Sequence, residues 1–80
     1  MNSYEPEKLI DGKEIQHIRV DLEINQAGLA KEMGIAIATL SRIENNKSRM
    51  SRPYYKLLMF SVREIERRTG RKVSYTFKDV

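Results

Sequence analysis

Few side chains in this sequence can carry bond-making chemistry. Its 80 residues include no cysteine and a single histidine, His17. A disulfide scaffold, a thiolate metal site and a cysteine nucleophile are therefore excluded, and His17 lacks the partners for a zinc site or a catalytic relay. The carboxylates fall at expected helix starts or on polar faces, whereas catalysis needs titratable groups converging in a pocket. Neither an enzyme, nor a metal site, nor a cofactor is expected. What the chain has instead is polarised charge. Residues 1–41 hold four Lys/Arg and seven Asp/Glu, while residues 42–80 hold eleven and four. The chemistry open to such a basic half is binding to a polyanion, whose phosphates release condensed counterions when neutralised. Ordinary solvated surface is the alternative that charge alone leaves standing.

The elements that must position these cations follow from hydrophobic spacing. Residues 1–10 carry Pro6 and a mixed composition and read as a flexible arm. Asp11 with Glu14 three residues on forms a capping-box-like start, and Ile15, Ile18 and Leu22 share one face of a first helix. Asn25 caps a second, short helix with Leu29, Ala30 and Met33 inside, ended by Gly34. A third helix follows at once. Its Leu40 and Ile43 point inward, while Ile37, Ala38, Ser41, Arg42 and Asn45 share the opposite face. Asn45 to Ser48 is a polar stop. Pro53 suits the first turn of a fourth helix over Tyr54–Arg68, with Tyr54, Leu57, Leu58, Ser61, Val62 and Ile65 on its apolar side. Thr69-Gly70 ends it. Two short helices joined by a tight glycine turn, with Ile35 completing their shared inner face, are the arrangement a helix-turn-helix requires.

The segment NQAGLAKEMGIAIATLSRIEN, Asn25 to Asn45, resembles the lambda-repressor/Cro (XRE) family of phage repressors and their bacterial relatives. The family pattern is an arginine, then a small polar cap followed by Gln, two residues and Leu-Ala, then Gly, then Thr-Ile/Leu-Ser-x-Ile/Leu-Glu. This chain supplies Arg19, Asn25, Gln26, Leu29-Ala30, Gly34 and Thr39 to Asn45. The likeness covers roughly residues 12–62. It implies a mainly α fold, a compact four-helix lambda-repressor-like domain over residues 11–70, and binding to double-stranded DNA. It also implies that Arg19 and Glu44 form an interior structural ion pair and that Gln26 opens the second helix against a phosphate. Ile37, Ala38, Ser41 and Arg42 then stand where family members read base edges, the Arg42 fork fitting guanine O6 and N7. Asn45, Lys47, Arg49 and Arg52 stand where backbone contacts are made.

There are departures from the pattern. Ala36 takes the place of the usual Ser, Thr or Asp cap of the recognition helix, and the usual fifth helix is replaced by a different tail. In residues 71–80 Val73, Tyr75 and Phe77 alternate with polar residues, a two-residue period that predicts a C-terminal β-strand. A lone strand needs a partner for its backbone. The same strand of a second subunit would supply one, making Val73, Tyr75 and Phe77 dimerisation residues; lying on the fourth helix, or fraying, are the alternatives. A thin core without disulfide or metal also favours a homodimer. The expected function is a homodimeric, sequence-specific transcriptional repressor of the cytoplasm, with no membrane segment. The competing reading is an antitoxin-type protein that holds a protein partner through residues 72–80 while repressing its own operon.

Overall fold

The computed structural model describes residues 8–80; the first seven, which make up most of the expected arm, lie outside the described residues. Four helices follow in order: α1 (Gly12–Leu22), α2 (Gln26–Met33), α3 (Ile37–Glu44) and α4 (Arg52–Thr69). Each boundary has a local cause. The Glu14 carboxylate accepts the Asp11 N–H at 2.9 Å, closing the first turn of α1. The Asn25 side chain accepts the Gly28 N–H at 2.7 Å to start α2. Gly34 ends α2 with φ of +72°, a left-handed conformation that costs glycine little. Ser51 caps α4 through the Tyr54 N–H, and Pro53 sits in its first turn.

α3 lies between α1 and α2, and α4 closes the far side of α2. The core is a single cluster in which Ile15, Ile18, Leu29, Leu40, Tyr55, Leu58 and Val62 have no more than traces of exposed surface. Burying each such aliphatic side chain contributes about 1.5–3 kcal/mol, so the thin core still holds four helices. The inner face of α4 differs by one position from the periodicity reading: Tyr55 is fully buried, whereas Tyr54 and Leu57 are half-buried. Ile10 and Met50, which belong to no amphipathic repeat, are also buried, and Leu9 packs against the cluster.

The tail departs from the expected strand. Among the described residues there is no β-strand; residues 71–80 run extended across their own chain. Val73, Tyr75 and Phe77 do alternate as predicted, but their inward side is packed on the helical core. Phe77 meets Tyr55 and Tyr75 edge-on, with ring centroids 5.5 and 4.9 Å away. Side chains also satisfy the backbone that a sheet would have paired. The Val73 N–H donates to Glu66, the Ser74 N–H to Asp21 and the Lys78 N–H to the Tyr55 hydroxyl at 2.6 Å. This is why the segment needs no ladder inside the chain.

Candidate nucleic-acid interface

The third helix presents a sharply two-sided surface. Leu40 and Ile43 are buried beneath it with Glu44. On its outer side Ala38, Arg42 and Asn45 are exposed, Ile37 keeps 49 % of its surface in solvent, and Ser41 is half-buried. The five side chains expected to share this face therefore do so. They are partly organised among themselves: Asn45 Nδ2 donates to Ser41 Oγ at 3.4 Å, and Arg42 Nε donates to Ser48 Oγ at 3.3 Å. The second contact leans the Arg42 guanidinium against the loop that follows the helix. Lys47 and Arg49 lie on that loop and Arg52 opens α4, all three exposed.

The inner side of α3 is locked by a polar cluster around Glu44. Arg19 Nε and the Glu44 Oε2 atom lie 2.8 Å apart, and a second Arg19 nitrogen donates to Oε1 at 2.9 Å. The Glu44 side chain is 2 % exposed and that of Arg19 21 %. Gln26 Nε2 donates to the same Oε1 at 3.1 Å. The Gln26 amide, expected on a phosphate, is thus turned onto Glu44, and this first residue of α2 is held beside the end of α3. A carboxylate buried to this degree needs several donors, and here three are supplied.

Two residues that position the site escape periodicity. Gly12 packs so closely on the end of α3 that a Cβ would overlap the Glu44 carbonyl. Asn46 adopts φ of +59° and its Oδ1 accepts the Gly12 N–H at 3.1 Å, so the loop after α3 caps the start of α1. The only sequence signals are a glycine beside an expected cap and a second asparagine in a polar stop. Val73, Tyr75 and Phe77, by contrast, pack on the core, where the partners of Tyr75 are Tyr55 and Leu9, that of Phe77 is Tyr55, and that of the Val73 N–H is Glu66. Among the described residues no group of three or more His, Asp and Glu is placed to hold a metal ion, and no helix is long and apolar enough to cross a membrane.

A short helix fixed by a glycine turn and a buried ion pair, with its outer face left in solvent, defines a helix-turn-helix protein. The chain matches the model of the helix-turn-helix family over residues 15–58, more than half its length, and belongs to that lambda-repressor-like (XRE) family of DNA-binding transcription regulators. No curated protein and no solved structure gives a match.

Proposed function

We propose that the chain is a sequence-specific transcriptional repressor, binding an inverted-repeat operator as a homodimer with one α3 entering each major groove. The observation that carries this reading is the exposed face of Ile37, Ala38, Ser41, Arg42 and Asn45 on a helix whose opposite face is locked by Arg19 and Glu44. Arg42 reads a guanine, its two-pronged donor set matching O6 and N7. Ser41 and Asn45 act together at the neighbouring base or phosphate, and Ile37 covers a thymine methyl. Lys47, Arg49 and Arg52 hold the phosphate backbone, and Gln26 fixes the approach of α2 through its own backbone end. Two half-sites lie about 10–10.5 bp apart or at a related spacing. Repression follows when the occupied operator blocks a promoter.

Selection of the purified protein against a random duplex library, followed by sequencing, tests this reading. Enrichment of an inverted repeat is expected, and Arg42→Ala is expected to relax the preference at one base pair in each half-site. A good bidentate contact discriminates by about 1–3 kcal/mol, a loss easily read as base counts. A library that emerges unenriched overturns sequence-specific repression.

A further inference from the structure

Three large apolar side chains are well exposed among the described residues: Val20, Ile37 and Phe60. Ile37 belongs to the outer face of α3. Phe60 stands at the midpoint of α4, on the side opposite the buried stripe of Tyr55, Leu58, Val62 and Ile65, and is 62 % exposed. Lys56 lies four residues before it, Arg63 three after and Arg67 seven after, so the four share one outward stripe. All three cations are exposed. Glu64, the one carboxylate beside them, is already held by Arg67 at 2.6 Å and by Arg68 at 3.7 Å. Lys56 and Arg63 have neither an ion pair nor a hydrogen bond among the described residues. We propose that this face docks an acidic helical segment of another protein, which sets one apolar side chain on Phe60 and a carboxylate on each of Lys56 and Arg63.

The excess of positive charge selects an acidic occupant. A second copy of α4 would bring the same excess and be repelled. Spacing then sets the pattern the occupant must carry. An α-helix rises 1.5 Å per residue, so Lys56 and Arg63 stand about 10 Å apart along α4, or two turns. A helix lying along the stripe matches them with Asp or Glu at positions i and i+7 and an apolar residue at i+3 or i+4. The ground around Phe60 suits a protein contact. Met59 and Leu57 are half-buried beside it, and aromatic residues, Met and Arg are the types enriched where proteins meet.

Nucleic acid is the other polyanion that unpaired cations attract. Its backbone offers phosphates to Lys56 and Arg63 but nothing apolar to Phe60. Proteins that stack single-stranded bases use several rings along a groove, whereas this convex helix face presents one. The patch is also small beside the roughly 800 Å² per partner of a standard interface, which makes the affinity modest. The stripe lies on a different helix from α3. An acidic partner and DNA can therefore be bound at once, and the docking holds whether or not α3 reads a specific sequence.

Selection of a phage-displayed library of random peptides, each long enough for about four helical turns, on the full chain tests the docking. Enrichment of acidic peptides with an apolar residue midway between carboxylates two turns apart is expected. A synthetic copy of the enriched peptide, followed by fluorescence anisotropy, then locates the site. Phe60→Ala should weaken its binding about tenfold, and K56E combined with R63E about a hundredfold. The pair K13E and K31E makes the same change in net charge on α1 and α2 and should bind as the parent does. All five positions are exposed, so unchanged circular dichroism spectra are expected. Single-stranded and duplex oligonucleotides should leave the peptide in place. Enriched peptides without carboxylates, or no enrichment, overturn the proposal. So does an equal loss in K13E with K31E, which would show only general attraction to a basic chain. Displacement of the peptide by an oligonucleotide would assign the face to nucleic acid instead. A peptide that binds as expected to a protein selecting no DNA sequence keeps the docking face and overturns the repressor reading alone.

Discussion

Arg19 of α1 and Glu44 of α3 meet through two parallel hydrogen bonds of 2.8 and 2.9 Å, joining the first helix to the end of the third, whose outer face is left in solvent. The geometry is the bidentate one that gives an arginine–carboxylate pair both strength and a fixed direction. Because Glu44 is almost wholly buried, the pair sets the orientation of α3 rather than decorating a surface.

Removing one partner should therefore be costly. Glu44→Ala leaves Arg19 and the Gln26 amide facing a buried void, a loss of about 3–5 kcal/mol, with the lower end expected because Arg19 retains some solvent. In a domain of this size that lowers the melting temperature by roughly 12 °C or more. Replacing both residues with apolar ones of similar volume, Arg19→Met with Glu44→Leu, should recover much of it. A Glu44→Ala melt within a few degrees of the parent would show that the pair is dispensable.

The contact between Gly12 and the end of α3 predicts an unusually severe glycine substitution. In Gly12→Ala the new methyl overlaps the backbone of Glu44, which cannot rotate away as a side chain would. Overpacking of this kind costs about 1–3 kcal/mol and here falls at the upper end. Asn46 supplies a paired comparison at the same junction. Asn46→Gly loses the acceptor for the Gly12 N–H and for the exposed Lys8 ammonium, whereas Asn46→Ala loses the same acceptor and also places a methyl-bearing residue at positive φ, for about 1 kcal/mol more. Equal melting temperatures for the two variants would remove the backbone argument.

The tail should loosen in alkali. Burial holds the Tyr75 phenol above the usual tyrosine range, and its hydrogen bond with the Tyr55 hydroxyl at 2.9 Å acts in the same direction. A folded value above the unfolded one means that the neutral phenol is favoured in the native state. Its contribution is complete below the unfolded value of about 10 and is lost as pH rises from there through the folded value. Chemical denaturation from pH 9 upward should show the parent losing stability faster than Tyr75→Phe. Parallel curves would contradict this role for Tyr75.

Phosphate contacts have their own signature. Lys47→Ala and Arg52→Ala should each reduce the slope of log affinity against log salt by about one, while weakening all sequences alike. Arg42→Ala should change base preference instead. A Lys47 variant with an unaltered slope would take that residue out of the interface.

Much of the architecture follows from local order alone. Asp11, Asn25, Gly34 and Pro53 mark where helices begin and end because capping and left-handed turns are decided within four or five residues. The outer face of α3 was legible for the same reason: a 3.6-residue period places Ile37, Ala38, Ser41, Arg42 and Asn45 together before any packing is known. Periodicity states which residues share a face, however, and not what covers it. The alternation of Val73, Tyr75 and Phe77 is equally compatible with a partner strand and with the side of α4, and only the tertiary structure seats it on Tyr55. The same limit hid the burial of Tyr55 in place of Tyr54, the turn of Gln26 onto Glu44, and the junction of Gly12 with Asn46. Each is a contact between residues at least 18 positions apart or a choice between adjacent side chains, settled by close packing of the whole chain and by the need of every buried polar group for a partner.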